Sequence, residues 1–290
     1  MKLKFFLLIS VFSLLGISCA SDGGTEQVPV SGGSSIEIAE NIISLSPTAT
    51  EILFAIGAGS QVVAVDDQSN FPEEAPMTSL SGYTPNIESI AEYQPDLVVA
   101  SYDPGDLVAG LEALGVKTLL QPAASSMEDT YSQINELGLL TGHESEADQL
   151  VESIKSDLDE ISSNKLGEGL SYYHEIDNTF YSPTSKTFLG KLYSLLGLSN
   201  IADPAIEGGF GWPQLSAEFI IDADPDLIFL GDADWGESAE TVAARPGWGS
   251  MTAVVSGQVI PVDTDTSGRW GPRVVDFLTS VRAEIEKILG

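Results

Sequence analysis

Two short stretches of this chain place a carboxylate and an aromatic ring at matching positions. In residues 88–97, Glu-Ser-Ile-Ala-Glu-Tyr-Gln-Pro-Asp-Leu, Glu88 stands seven residues before Pro95. In residues 218–227, Glu-Phe-Ile-Ile-Asp-Ala-Asp-Pro-Asp-Leu, Glu218 stands seven before Pro225. Tyr83 precedes the first glutamate and Trp212 the second, each within two helical turns. One ring and one acid per copy is equipment for holding and presenting, and two such copies with a cleft between them suggest a binding protein more than a single-domain enzyme. Arg269 and Trp270 form a third candidate pair just after a strand end, where α/β folds place ligands. There an arginine can bond ligand oxygens while the ring stacks on the ligand body. A plainer role for Arg269 is a surface pair with Asp263 or Asp265. Tyr83, Phe180 and Trp212 sit in loops flanked by Gly and Pro or by polar residues, the setting of binding aromatics. Solvated helix faces are the plainer reading of Glu88 and Glu218.

Other chemistries have little material. There are 2 histidines, His143 on a helical segment and His174 on a strand, too few for a histidine metal cluster or a supported general base. Gly57-Ala58-Gly59 lacks the third glycine of a dinucleotide loop and follows a helix instead of a strand. Neither a phosphate-binding Walker pattern nor a Gly-x-Ser-x-Gly elbow occurs. Acidic residues number 43 against 12 basic, a formal charge of −31, which excludes nucleic acid as a partner and reads as a solubility device. Cys19 is the single cysteine, so no internal disulfide forms.

The elements that must position these residues follow from apolar periodicity. Lys2 and Lys4 open a basic leader, Phe5 to Leu15 is an apolar run, and Gly16-Ile17-Ser18-Cys19 resembles a lipoprotein cleavage site. The expectation is export with Cys19 lipidated; an ordinary secretory signal cut near Ala20 is the alternative. Residues 1–19 are then the signal and 20–39 a flexible tether to the membrane. Residues 40–141 alternate short apolar runs with helical patterns, which predicts an α/β lobe with a parallel sheet. Residues 66–83 read as a loop. In 142–166, apolar residues at spacings of three and four predict one long connecting helix. Residues 167–290 repeat the β/α order, with a loop at 263–266 and a closing helix over 272–289. Each Pro-Asp-Leu ends a helix and begins a strand buried on both faces.

Ile43-Ser44-Leu45-Ser46-Pro47-Thr48-Ala49-Thr50-Glu51-Ile52-Leu53 resembles the opening signature of the helical-backbone solute receptors, the class III solute-binding proteins. Asn86-Ile87-Glu88 with Pro95-Asp96-Leu97, Trp212-Pro213-Gln214-Leu215-Ser216 with Pro225-Asp226-Leu227, and Arg245-Pro246-Gly247-Trp248 extend the resemblance from about residue 40 to 288. It implies two Rossmann-like lobes with central parallel sheets on one rigid helix, holding a metal chelate between them with little closure. It further implies a monomer without a cofactor of its own, serving an ABC importer whose permease dimer meets Glu88 and Glu218. By the same resemblance Pro47, Tyr83, Phe180, Trp212, Asp265 and Arg269 match ligand-contacting positions of the cobalamin binder. Cobalamin is therefore the first expectation for the ligand, with a ferric siderophore or haem as the alternative. A chelatase-like enzyme or a structural surface protein are the competing classes.

Overall fold

The computed structural model describes residues 37–205 and 211–290; the leader, Cys19 and nearly all of the expected tether lie outside them. In the first lobe the elements run β1 (Ile42–Leu45), α1 (Pro47–Ala55), β2 (Val62–Asp66), β3 (Met77–Leu80), α2 (Ile87–Ala91), β4 (Leu97–Ala100), α3 (Leu107–Ala113), β5 (Lys117–Leu120) and α4 (Met127–Thr141). Its strands form a parallel sheet in the order β3-β2-β1-β4-β5. The 19-residue helix α5 (Glu144–Ser162) follows. In the second lobe come β6 (Ser171–Glu175), α6 (Phe188–Leu195), β7 (Ser199–Asn200), α7 (Ala217–Ala223), β8 (Leu227–Leu230), α8 (Ala239–Ala243), α9 (Thr252–Val255), β9 (Val259–Pro261), α10 (Thr264–Gly268) and α11 (Val274–Leu289). Its parallel sheet has the order β7-β6-β8-β9. In each lobe the Pro-Asp-Leu strand, β4 or β8, lies beside the lobe's first strand.

Strand periodicity sends alternate residues to different cores. Leu97 and Val99 of β4 face one cluster, while Val98 and Ala100 face another with Ile43 and Leu45 of β1. In the second lobe Leu227, Phe229 and Tyr172 point to the same cluster as Leu97, whereas Ile228, Leu230 and Tyr173 face a third. The first cluster is thus common to both lobes. Ile134 and Leu137 of α4, Val151, Ile154 and Leu158 of α5, and Phe277, Leu278 and Val281 of α11 complete it. At 1.5 Å per residue α5 is about 28 Å long. It is no bare rod, since it packs against both α4 and α11.

The aspartate of each Pro-Asp-Leu has a task that its sequence context did not suggest. Asp96 accepts hydrogen bonds from the backbone N–H of Glu40 at 2.9 Å and of Asn41 at 3.2 Å, where the chain enters β1. Asp226 accepts from the N–H and the hydroxyl of Ser171, at 2.7 and 2.8 Å, where the chain enters β6. The motif therefore fixes the entry of the neighbouring strand as well as starting its own. Pro95 and Pro225 are both buried beside it.

Four expectations are corrected. The stretch 66–83 contains an edge strand, β3, tied on by Val65 N–H to Pro76 O and Asp67 N–H to Leu80 O; its four residues between prolines and glycines were too short to read. The loop expected at 263–266 is a turn of helix, α10, capped by the Asp263 side chain accepting from Thr266 N–H at 2.7 Å. The connecting helix is shorter than 142–166, because Gly142 with φ 75° already ends α4. Ala39, expected in the tether, is buried and donates its N–H to Leu140 O at 2.9 Å, so the lobe begins before residue 40.

Asp226→Ala is expected to lower stability by about 1–3 kcal/mol, because it leaves a partly buried N–H and hydroxyl unpaired. Asp96→Ala, at a more exposed site, is expected to cost less. Urea denaturation of the two variants checks the order.

Candidate functional site

A cavity of about 540 Å³ lies at the C-terminal ends of the first-lobe strands. Leu45 to Thr48 after β1, Asp66 and Gln68 after β2, Gly82 and Tyr83 after β3, Ser101 and Tyr102 after β4, and Pro122 and Ala123 after β5 line it. The second lobe closes it with the α10 segment, through Thr264, Asp265, Gly268, Arg269 and Trp270. Pro47 is held at the first turn of α1, where its missing N–H has no partner to lose and Ser46 caps the helix by accepting from Ala49 N–H at 3.3 Å. Ser101 donates to the Ser46 hydroxyl at 2.8 Å, and the Thr50 hydroxyl lies 2.9 Å from those of Ser44 and Ser69. The floor is therefore a hydroxyl network.

The rings surround this floor. Tyr83, 68% exposed, stands at the mouth, and the Tyr102 hydroxyl donates to its carbonyl at 3.1 Å. Trp270 is pinned by its indole N–H to Gln133 Oε1 at 2.9 Å and by its carbonyl accepting from the Thr130 hydroxyl at 3.0 Å. Asp66 is buried at the cavity edge; burial raises its pKa, partly opposed by hydrogen bonding from Ser69. Gly82 is required here, because a Cβ would lie 2.7 Å from both Asp66 Oδ2 and Leu45 O.

Arg269 reaches the cavity wall already engaged. Its guanidinium donates to Glu51 Oε1 at 2.8 Å, Asp265 Oδ1 at 2.6 Å, Asn70 Oδ1 at 2.8 Å and the Gln68 carbonyl at 3.1 Å. Glu51, on α1 and 3% exposed, also accepts from Arg273 at 2.5 Å, whose guanidinium lies 4.2 Å from the Phe71 ring centroid. The most deeply buried partner of Arg269 is thus a first-lobe glutamate 218 positions away, alongside the expected pairing with Asp265. Together these bonds form a latch from the second lobe onto the first. Its location was legible in Arg269-Trp270; its partner Glu51 was not, being one acid of 43.

Phe180 and Trp212 do not line this cavity. Phe180, with φ +70°, stacks on the buried Trp248 with centroids 5.5 Å apart, and the Arg245 guanidinium lies 5.6 Å from the Phe180 ring centroid. Arg245 is held by both oxygens of the fully buried Glu175, at 2.6 and 2.7 Å, and by Glu237 at 2.7 Å. The Arg245-Pro246-Gly247-Trp248 motif is therefore a structural anchor for Phe180. Trp212 is 42% exposed on the segment whose Gln214 pairs with Tyr181. Tyr102 is a lining ring that the sequence reading missed, although its place directly after β4 was the available signal. Asp232, at the end of β8, is 3% exposed with Oδ1 unpartnered among the described residues; burial, and then the charge of Glu175, push its pKa up to about 7.

Glu88 and Glu218 lie outside the cavity at equivalent places. Each is exposed and second in its helix, after the caps Asn86 and Ser216. An acid there also suits the helix dipole. His174 is buried with Nδ1 2.9 Å from the Tyr193 hydroxyl, and burial pushes its pKa down to about 3, leaving it neutral. Among the described residues no group of three or more His, Cys, Asp or Glu could hold a metal ion, and no helix is long and apolar enough to cross a membrane.

Comparison with known proteins supplies the frame for this site. The family described as periplasmic binding protein matches residues 42–266. The uncharacterized ABC transporter substrate-binding lipoprotein YvrC of Bacillus subtilis is 32% identical over 257 residues, 85% of this chain and 80% of that protein. A cobalamin-binding protein of Halobacterium salinarum is 26% identical over 249 residues, 82% of this chain and 67% of that one. Among solved structures, a possible iron-binding, periplasmic solute-binding protein from Staphylococcus epidermidis superposes with a TM-score of 0.74 at 27% identity, covering 86% of this chain and 99% of that one.

Two outcomes follow from the charged groups. Glu51→Ala leaves two arginines facing each other without their shared acid and is expected to cost about 3–5 kcal/mol in urea denaturation. For Asp232, the folded state holds its proton to a higher pH than the unfolded state. Its contribution to stability is therefore complete below the ordinary value of 3.8 and declines as pH rises to about 7. Asp232→Asn is expected to remove that decline and raise the melting temperature at neutral pH, checked by thermal denaturation across this interval.

Proposed function

The chain belongs to the periplasmic binding protein family, and from that membership we propose that it captures a metal chelate, a corrinoid first among them, in the cavity beneath the α10 segment and delivers it to an ABC importer. It is a substrate-binding component of transport and not an enzyme. The observation that carries the ligand reading is the cavity itself: about 540 Å³, within the usual range for small-molecule sites, at the sheet edge where α/β folds bind ligands. Pro47, Tyr83, Tyr102 and Trp270 supply flat apolar surface, and the Ser46, Thr48 and Ser101 hydroxyls supply directional bonds. The name of the Halobacterium relative supports the corrinoid. A ferric chelate is the second reading, favoured by the description of the Staphylococcus structure.

Delivery rests on the equivalent positions of Glu88 and Glu218. Each projects from the first turn of the helix before its lobe's Pro-Asp-Leu strand, so the two present one acid per lobe to basic residues of a permease dimer. Export with lipidation at Cys19 is part of the same reading, supported by the lipoprotein name of the Bacillus relative. The chain then works as a monomer on the outer face of the membrane.

Binding and delivery separate experimentally. Tyr83→Ala and Trp270→Ala are expected to weaken cyanocobalamin binding by about 1–3 kcal/mol each in calorimetry. Glu88→Arg and Glu218→Arg are expected to leave that affinity unchanged while abolishing importer-dependent uptake. Equal loss of affinity in the arginine variants would remove the docking role.

A further inference from the structure

We infer that the cargo is an electrically neutral or cationic chelate, and that the cavity rejects chelates bearing exposed carboxylate or catecholate charge. This rests on the chelate-binding reading and narrows it by the charge of the ligand. The lining contains two carboxylates, Asp66 and Asp265, and a single cation, Arg269. The side chain of Arg269 is 9% exposed, and its terminal nitrogens are bonded to Glu51, Asp265, Asn70 and the Gln68 carbonyl. An anionic ligand edge that displaced Asp265 or Glu51 from Arg269 would leave that carboxylate with only the Asn70 amide or Arg273 respectively, its charge set against the ligand's own.

Among the described residues no other cation lines the cavity to replace it. Arg245 and Arg273 are each bonded to a buried glutamate, and Arg282 pairs with Glu286 on α11. None of the lysines lines the cavity. The residues outside the description add none at the cleft by sequence: 206–210 contain neither Lys nor Arg, and 1–36 contain only Lys2 and Lys4 of the leader. Carrying a ligand carboxylate out of water into a site with no free counter-charge is strongly unfavourable. The formal charge of −31 acts in the same direction during approach, repelling anions and drawing cations toward the mouth. What the cavity does offer is hydroxyls, carbonyls and ring faces, which suit amide and hydroxamate edges.

The test compares ligands matched in shape and differing in charge. Calorimetry would use cyanocobalamin against its monocarboxylate, in which one propionamide is hydrolysed, and cationic ferrioxamine B against its N-succinyl derivative. For whichever pair binds, the anionic member is expected to bind at least about tenfold more weakly. In Asp265→Asn, which removes one carboxylate and frees a donor of Arg269, that gap is expected to narrow. Equal or tighter binding of the anionic member would overturn the charge rule while leaving chelate binding intact. A gap unchanged in Asp265→Asn would overturn its assignment to the engaged arginine. Failure of all four compounds to bind would remove the chelate reading and this inference with it.

Discussion

A carboxyl group buried inside a protein either holds its proton or keeps a counter-charge, and Glu51 has its counter-charges across the cleft. The cost of leaving either side unpaired is several kcal/mol, so Glu51, Arg269 and Arg273 are fixed as a set once the chain folds. Because the acid is on α1 and the arginines flank the start of α11, the set dictates where the α10 segment lies. That placement closes the cavity over the strand ends and brings Trp270 to its wall. Position more than strength is what the latch provides: replacing such a set by well-packed apolar residues is often neutral or stabilising.

Cohesion between the lobes comes from elsewhere. Full burial of each large apolar side chain contributes about 1.5–3 kcal/mol, and the common core draws such residues from both sheets and from α4, α5 and α11. The shared side of the molecule is therefore a continuous packed interior, while the C-terminal strand ends of the first lobe and the loops after them remain open to form the site. A hinge would have to break that interior. On the proposed function the cleft is accordingly preformed, and rings and hydroxyls already in place limit the ordering cost of binding.

Most of the architecture was legible because it rests on local signals. Prolines before apolar tetrads marked β4 and β8, and the spacing of Ala147, Val151, Ile154 and Leu158 marked α5. The elements that escaped, β3 and α10, are short and stabilised by partners distant in sequence. The site divides the same way. Pro47, Tyr83 and Trp270 lie next to strand ends or helix starts and were found; the roles of Arg269 and Phe180 were altered by Glu51 and Trp248, contacts 218 and 68 positions away that no local pattern records. The Asp of each Pro-Asp-Leu was read as part of a strand start, yet its carboxylate serves a backbone 55 positions earlier.

The acidic composition and the character of the site are connected. With 43 acids and only 12 basic residues, a guanidinium in this chain seldom lacks a carboxylate partner, and all four arginines have one. Each is thereby committed to architecture: Arg245 supports the Phe180 and Trp248 stack, Arg269 and Arg273 hold the lobes in register, and Arg282 ties α11 to the Ile161 carbonyl near the end of α5. On the proposed function, recognition then falls mainly to uncharged groups, the lining carboxylates Asp66 and Asp265 apart. Such groups discriminate by shape and by hydrogen-bond direction, and they are little affected by the salt that screens a surface ion pair. On the proposed function, an acid-rich chain keeps in this way a cargo site whose affinity is set by rings and hydroxyls, while its exposed acids remain available to meet a basic partner.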